Sequence, residues 1–401
     1  MSLLADPFRR KLAGLDAGDP RHVVALVDLI LAEARAAGAS DVHLLPTADG
    51  LELRWRIDGV LQAVSTLPAT LAPNVVARLK VVAELLTYRT DLPQEGRIRG
   101  APGDVEMRVS TFPTLHGEKA VVRLFVGSGG LLRLDDLGLP VEVRDALRLL
   151  LDETSGAILL AGPAGSGKTT TIYACLRELA ASTEGRRSLV TLEDPIEAAL
   201  NGVSQSQVNP AAGFDLATGL RSLVRQDPEV IAVGEIRDRA TAEVAFQASL
   251  TGHLVLSTFH AGGAAEAIGR LVDMGVEPFV LRSGLRAVVC QRLLRRLCSC
   301  ARAIDRREDR LGLDVLNAFQ AVGCPSCRGA GYRGRLVLAE LLRPDLGDVG
   351  PAILARVDVR RLESLALAAG LVPLRERART AVEEGLTSPA EVRRVLGFAM
   401  D

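Results

Sequence analysis

The sequence contains little lysine and few aromatic residues. Arginine carries almost all of the positive charge, because only Lys11, Lys80, Lys119 and Lys168 are lysines among 48 basic residues. Nine phenylalanines, three tyrosines and one tryptophan offer few side chains on which nucleic-acid bases could stack. The formal net charge is only −1. These features argue against a nucleic-acid-binding protein.

The chain also lacks a long apolar run. No run approaches the roughly 20 residues that a membrane-spanning helix needs. Residues 1–20 mix charged residues with glycine and proline and lack the apolar core of a signal peptide. We therefore expect a cytosolic protein, in which the six cysteines do not form disulfides. A length of 401 residues suggests two or three domains.

One segment identifies a ligand by itself. Residues 157–161 are apolar and predict a buried strand, and residues 170–176 predict the start of a helix. Between them lies a P-loop, whose backbone N–H groups can surround a polyphosphate. The predicted nucleotide-binding residues are Gly162, Pro163, Ala164, Gly165, Ser166, Gly167, Lys168, Thr169 and Thr170. We expect Lys168 to reach the β- and γ-phosphates of a nucleotide and the Thr169 hydroxyl to bind Mg²⁺.

The order of predicted elements gives an α/β protein. We expect a flexible tail over residues 1–21, a smaller α/β domain over 22–126 and a linker over 127–137. Residues 138–401 alternate strands and helices, which is typical of a parallel sheet with helices on both faces. This second domain is expected to include a cysteine-bearing segment over 298–327 and helices at its end.

Acidic residues follow two of these predicted strands. Glu193 and Asp194 end one short apolar strand, and Glu235 follows the next. In a doubly wound sheet the carboxyl ends of the strands open onto the nucleotide crevice. A carboxylate there can polarise an attacking water, which hydrolysis requires. His253 and His260 flank a third strand and could sense the γ-phosphate, although His253 taken alone is equally explained as a structural histidine.

Four motifs now stand in one order: GPAGSGKTTT, TLEDPIE, RQDPEVIAVGEIRD and TGHLVLSTFH. They resemble the Walker A, Asp box, Walker B and His box of the secretion ATPases of type II secretion and type IV pilus assembly. Residues 39–43, 56–59, 92–98 and 108–119 are similar to the second amino-terminal domain of that family. The resemblance extends from about residue 22 to the end of the chain.

This resemblance implies a RecA-like P-loop ATPase domain preceded by a smaller, PAS-like α/β domain. It implies that Glu193 is the catalytic carboxylate, that Glu235 acts on Mg²⁺ through water, and that His253 and His260 couple the phosphate state to the sheet and the subunit contact. Members form homohexameric rings that hydrolyse ATP and move a platform protein of the inner membrane. The chain is thus expected to serve protein secretion or pilus or pseudopilus assembly, peripherally associated with that membrane.

The resemblance also assigns a role to three arginines of the amino-terminal domain. Arg97, Arg108 and Arg123 match residues that approach the phosphates when the two domains close. An arginine in that place neutralises charge that develops in the transition state. Each arginine taken alone is also explained as a solvated surface charge.

Four cysteines suggest a structural zinc site. Cys298 and Cys300 form one pair, and Cys324 and Cys327 form a second pair further along the chain. Four thiolates in two close pairs are typical of structural Zn²⁺ sites. The first pair has one intervening residue where relatives with the metal have two, so a metal-free loop is the alternative. The neighbouring basic run over 291–296 is expected to be solvated or to pair with acids of a partner.

Two departures and two alternatives remain. Leu45 stands where the family usually has glutamate, and only some 20 residues precede the amino-terminal domain, so we expect the family's extra docking domain to be absent. A pilus-retraction motor is one alternative, which the cysteine pairs disfavour. A nucleic-acid-associated P-loop ATPase is the other, which composition and charge disfavour.

Overall fold

The structure is a computed structural model that describes residues 5–98, 107–124 and 133–397. The chain forms two compact units. The first comprises the described residues of Met1–Gly127 together with Leu297–Arg302 and Ala321–Gly334. The second comprises those of Ser128–Arg296, Ala303–Gln320 and Arg335–Asp401. The glycine-rich joint expected at residues 127–130 lies outside the described residues.

The first unit is a six-stranded sheet with helices. Its elements are α1 (Ala5–Ala13), α2 (His22–Ala36), β1 (Ala39–Thr47), β2 (Gly50–Ile57), β3 (Val60–Leu67), α3 (Ala72–Val82), β4 (Gln94–Ile98), β5 (Met107–Thr114) and β6 (Gly117–Leu124). The strand order is β3-β2-β1-β6-β5-β4, with every neighbouring pair antiparallel. The amino-terminal α/β domain is therefore present, and the hairpin turn expected at Asp58–Gly59 joins β2 to β3.

Alternation along the strands decides which sheet face is buried. In β2 the side chains of Leu51, Leu53 and Trp55 are buried, whereas Arg54 between them is exposed. Successive strand residues point to opposite faces. The apolar face of the sheet shares one core with α2, whose buried residues Leu26, Val27, Ile30 and Ala34 follow a helical spacing. Polar side chains, several of them arginines, occupy the other face.

The expected flexible tail is corrected by the structure. Residues Ala5–Ala13 form α1, and Phe8 is completely buried in the core of the first unit. Its ring packs edge-on against Trp55, with 5.9 Å between ring centroids. The charged and glycine-rich composition of residues 1–20 gave no sign of this anchor, because a single aromatic side chain supplies it.

The second unit contains the predicted parallel sheet. Its elements are α4 (Val141–Leu151), β7 (Gly156–Ala161), α5 (Lys168–Thr183), β8 (Leu189–Glu193), β9 (Ser204–Gln207), α6 (Leu216–Leu223), β10 (Val230–Val233), α7 (Arg239–Leu250), β11 (Leu254–Phe259), α8 (Ala264–Asp273), α9 (Pro278–Gly284), β12 (Leu285–Leu297), β13 (Arg302–Ala303), β14 (Phe319–Gln320), β15 (Tyr332–Leu342), α10 (Val349–Leu354), α11 (Val359–Ala368), α12 (Leu374–Glu383) and α13 (Pro389–Leu396).

The seven-stranded sheet of this unit has the order β15-β12-β7-β11-β10-β8-β9. The strands from β12 to β9 in this order are all paired in parallel. Alternate residues of β7 enter two cores: Leu159 packs in one and Ile158 and Leu160 in the other. Both faces of the sheet are therefore covered, as expected for a parallel sheet. The predicted α/β fold class is confirmed.

The two cysteine segments group differently from the expected domain boundaries. They belong to the first unit rather than to the ATPase domain. Arg328 Nη2 donates to the Ala36 carbonyl at the end of α2 (3.3 Å), and the Gly334 N–H donates to Asp58 Oδ2 (3.1 Å). Such long-range backbone contacts leave no pattern in the local sequence. None of the helices within the described ranges has the length and apolar character needed to cross a lipid bilayer.

Candidate nucleotide site

The P-loop joins the end of β7 to the start of α5. Gly162 adopts φ +142°, and a Cβ there would lie 2.5 Å from Ser166 Oγ and 2.6 Å from the Gln291 carbonyl oxygen. Gly167 adopts φ +93° immediately before α5 begins at Lys168. Only glycine fits both conditions without strain. The loop therefore ends on the N-terminus of a 16-residue helix, where anions are favoured.

Lys168 lies inside this loop. Its ammonium donates to the carbonyl oxygens of Gly162 (2.8 Å) and Pro163 (2.9 Å). Burial lowers the pKa of Lys168, and the Glu235 carboxylate acts in the opposite direction. Glu235 is therefore within electrostatic reach of the P-loop lysine. A cation held on two neutral carbonyls is well placed to bind a phosphate oxygen instead.

The P-loop opens into a cavity of about 440 Å³ within the second unit. This volume is in the range of small-molecule sites. Its lining combines P-loop residues with apolar walls and two arginines. The residues are Asp136, Leu137, Gly138, Gly165, Ser166, Gly167, Lys168, Thr169, Thr170, Thr171, Glu197, Gln291, Leu293, Arg296, Arg335, Leu336 and Val337.

Sequence reasoning missed the parts of this lining that lie far from the P-loop. Leu137 was assigned to a linker, Leu336 belongs to β15, and Gln291 and Leu293 belong to β12. Gln291 is buried and hydrogen-bonded to Thr171 of α5 (3.0 Å). Only the position of β12 and β15 beside β7 in the sheet brings these residues to the P-loop.

The basic run over 291–296 has three different environments. Arg292 donates to the Gly262 carbonyl (2.6 Å), Arg295 pairs with the buried Glu391 (2.7 Å), and Arg296 lines the cavity. Arg295 therefore pairs with an acid of its own chain, on helix α13. The expectation of solvated charges or a partner's acids is corrected for these residues.

Glu193 ends β8 and is almost completely buried. Its carboxylate accepts hydrogen bonds from three neutral donors: Tyr173 OH (2.5 Å), Thr191 Oγ1 (2.6 Å) and Gln205 Nε2 (3.1 Å). Such donors compensate for the water that a buried carboxylate loses. Glu197 of the same Asp box lines the cavity.

Glu235 follows β10 and connects three strand ends. Its carboxylate lies 3.0 Å from His260 Nε2 and 2.8 Å from Arg237 Nε. Arg237 also lies 3.6 Å from Asp194, which follows β8. Because β8, β10 and β11 are parallel neighbours, their carboxyl ends meet at one edge of the sheet. The Asp box, Walker B and His box are joined there.

The structure separates the two histidines. His260 follows β11 and belongs to this carboxyl edge, whereas His253 precedes β11, at the opposite edge. The six-residue strand between them spans roughly 20 Å. His253 Nδ1 lies 3.0 Å from the Ala248 carbonyl oxygen at the end of α7. His253 therefore does not join Lys168, Glu235 and His260 in one group.

The three predicted arginines form one row across the first unit. Arg97 lies directly opposite Arg108, and Arg108 directly opposite Arg123, on β4, β5 and β6. Arg123 then pairs with Asp41 of β1 (3.1 Å), which also contacts Arg56 of β2 (3.3 Å). Like charges directly opposite each other destabilise a sheet. The sequence therefore concentrates positive charge here at some cost in stability.

The four predicted cysteine ligands converge. Their Sγ atoms all lie within 4.8 Å of one another. Three of the distances are 3.8 Å (Cys298–Cys324), 3.9 Å (Cys300–Cys327) and 3.7 Å (Cys324–Cys327). A tetrahedral Zn²⁺ with Zn–S bonds of about 2.3 Å holds sulfurs about 3.8 Å apart. The donor set therefore fits zinc, including the pair with one intervening residue.

Backbone groups favour a thiolate at this cluster. The N–H groups of Cys324 (3.1 Å) and Gly331 (3.2 Å) donate to Cys327 Sγ. Burial raises the pKa of Cys327, but these N–H groups and the neighbouring thiols more than offset it and lower the pKa to about 6. Cys175 and Cys290 are different, because burial raises the pKa of Cys175 to about 12 and that of Cys290 to about 11. They are core residues, as predicted.

Comparisons with known proteins agree with this site. The family described as "Type II/IV secretion system protein" matches residues 16–394. The chain is 40% identical to the "Type II secretion system ATPase E" of Vibrio cholerae, covering 95% of this chain and 76% of that protein. It is 37% identical to the "Type IV pilus assembly ATPase PilB" of Thermus thermophilus, covering 98% of this chain and 45% of that protein.

A solved structure extends the similarity to the fold. The pilus retraction motor PilT with bound ADP superposes with a TM-score of 0.59 at 25% identity, covering 91% of this chain and 95% of that one. The family match spans both units and all four motifs described above. The chain therefore belongs to the type II/IV secretion system protein family.

Proposed function

We propose that this protein is an ATP-hydrolysing motor for type II protein secretion or for assembly of a type IV pilus or pseudopilus. The observation that carries the proposal is the meeting of the P-loop, with Lys168 inside it, and the carboxylate group around Glu235 on one edge of the parallel sheet. The names of the relatives supply the process, since one is a secretion ATPase and another a pilus assembly ATPase.

The cavity suggests how ATP binds. The triphosphate lies on the P-loop at the N-terminus of α5, where Lys168 exchanges its carbonyl partners for phosphate oxygens. The adenine and ribose occupy the remaining space, against the apolar side chains of Leu137, Leu293 and Leu336. Arg296 and Arg335 line the same space and can contact the base or the phosphates.

Mg²⁺ has a suitable donor set beside this loop. The Thr169 hydroxyl lies in the first turn of α5, and the Glu235 carboxylate acts on Lys168 from the end of β10. Hydroxyl, carboxylate and water oxygens are ligands that Mg²⁺ prefers. When bound, Mg²⁺ neutralises phosphate charge and orients the γ-phosphate. Thr169 would bind it directly and Glu235 through water.

The chemical step is an attack of water on the γ-phosphorus. Glu193 accepts the proton of that water, and Lys168 stabilises the charge that passes to the leaving ADP. His260, in contact with Glu235, links the presence of the γ-phosphate to the end of β11. Arg97, Arg108 and Arg123 supply further positive charge to the phosphates when the amino-terminal domain closes, which accounts for their costly alignment.

The motor acts as a homohexameric ring in the cytoplasm. It is held at the inner membrane through a platform protein of the secretion or pilus machine and has no nucleic-acid partner. Zn²⁺ bound by Cys298, Cys300, Cys324 and Cys327 is structural, because four protein thiolates leave no open position for a substrate.

Phosphate release from ATP by the purified chain, with and without double-stranded DNA, tests this proposal. We expect release that DNA leaves unchanged and that increases per chain as protein concentration rises, because ring formation completes the sites. Release that depends on DNA would favour the nucleic-acid alternative. Complementation of strains that lack either an assembly or a retraction motor then distinguishes those two roles.

A further inference from the structure

Tyr173 lies on α5, five residues after the P-loop lysine, and its hydroxyl meets the buried carboxylate of Glu193. The phenol oxygen is 2.5 Å from Glu193 Oε2. A phenol has one proton to donate, so this bond uses the whole donor capacity of the tyrosine. Tyr173 is therefore a direct link between the P-loop helix and the Asp box.

The same hydroxyl also holds the chain that follows Glu193. It accepts a hydrogen bond from the Glu197 N–H (3.2 Å). Gln205 of β9 makes a second link: its Nε2 donates to Glu193 Oε1 and to the Ala198 carbonyl, and its Oε1 accepts from the Leu200 N–H. The loop between β8 and β9 is thus folded around one carboxylate.

The environment fixes the roles of the two groups. Burial, together with the neighbouring Glu193, raises the pKa of the Tyr173 phenol far above its ordinary value. The tyrosine therefore stays protonated and remains the donor. Its ring is held in turn by Arg177, one helical turn later, whose guanidinium lies 5.8 Å from the ring centroid.

We propose that Tyr173 is a positioning residue for ATP hydrolysis, which holds the Glu193 carboxylate in the orientation needed to accept a proton from the attacking water. Oε1 already accepts bonds from Thr191 and Gln205. Oε2 accepts one bond, from Tyr173, and its second lone pair can accept the water proton. The tyrosine hydroxyl decides where that lone pair points. This inference rests on the proposed catalytic role of Glu193.

A double-mutant cycle tests the inference. Tyr173→Phe keeps the ring and removes only the hydroxyl, so we expect kcat for ATP to fall about tenfold, with KM and nucleotide affinity almost unchanged. In a Glu193→Gln background the same substitution should change kcat less than twofold, because its target is already lost. Tyr88→Phe is the matched control, since Tyr88 is exposed in the first unit.

The outcomes separate the inference from the proposed function. A wild-type kcat for Tyr173→Phe would overturn the inference, as would a full tenfold fall in the Glu193→Gln background. A wild-type kcat for Glu193→Gln would instead refute the catalytic role on which the inference rests. Thr191→Val supplies a second variant on the same carboxylate if Tyr173→Phe does not fold, because valine preserves the shape of this buried strand position. It should show the same non-additivity with Glu193→Gln, and additive losses would also overturn the inference.

Discussion

His260 Nε2 lies 3.0 Å from the carboxylate of Glu235 and joins the ends of two neighbouring parallel strands. The contact connects the His box to the Walker B segment, whose acid also acts on the P-loop lysine. His253, seven residues earlier, lies at the other end of the same strand. Two histidines of one motif therefore occupy different chemical environments.

This separation makes the histidines a matched pair for mutation. We expect His260→Asn to lower kcat for ATP about tenfold, because a contact to a carboxylate of the nucleotide site is lost. His253→Asn should cause a smaller fall, since its ring contacts the end of α7 rather than this site. Equal falls in kcat for the two variants would contradict the assignment. The rate of phosphate release at saturating ATP measures both.

Glu193→Gln should separate binding from turnover. The amide cannot accept the proton of water, so we expect kcat to fall by roughly 10²- to 10⁴-fold. ATP affinity should remain close to wild type, because the P-loop is intact. Titration with a fluorescent ATP analogue beside a phosphate-release assay measures both quantities. An equal loss of affinity would mean that Glu193 instead supports the structure of the site.

The arginine row predicts a loss confined to the chemical step. Substituting Arg97, Arg108 or Arg123 with glutamine should leave ATP affinity within about twofold and lower kcat, because the lost charge is needed most in the transition state. Arg54→Gln, on an exposed position of the same sheet, is the control. Variants that lose affinity without losing kcat would contradict this role.

Much of the nucleotide site could be predicted from sequence, because its chemistry lies in contiguous motifs. The P-loop, Glu235 and the four cysteines needed only residue types and local spacing. Tyr173 could not be assigned, because its partner Glu193 is 20 residues away and the hydrogen bond depends on the packing of α5 against β8. The walls formed by β12 and β15 were missed for the same reason, since strand order is not written in local pattern.

Some structural features also lay outside local pattern. The anchoring of α1 rests on Phe8 alone. The contacts of Arg328 and Gly334 with the first unit use backbone groups, which carry no sequence signal.

Those contacts predict the effect of removing a metal. Purified protein should contain one Zn²⁺ per chain, and chelation should increase amide hydrogen exchange at the Asp58 turn and at the end of α2, both of which contact the cysteine segments. The P-loop should keep its protection. Cys327→Ser is the genetic equivalent, with Cys175→Ser as a control for thiol loss in the core. Protein without zinc, in which all four thiols react freely, would contradict the site.

Glu391 predicts an acid-dependent loss of stability. Its burial raises the pKa, but hydrogen bonds from Arg394 and Arg295 more than offset this and lower the pKa from 4.5 to about 2. Because the folded pKa lies below the unfolded one, the stabilisation is complete above pH 4.5 and is lost as pH falls towards 2. It corresponds to about 3 kcal/mol of unfolding free energy. Glu391→Gln should remove this pH dependence in urea unfolding series between pH 6 and about 3.

The central claim is that the loop containing Lys168 binds ATP for hydrolysis, and phosphate release by purified Lys168→Ala protein beside the wild type tests it most directly. The wild type should release phosphate from ATP. The variant should remain at background, because both the charge and the reach of the ammonium at the β- and γ-phosphates are lost. Equal rates of release from the two proteins would contradict the account.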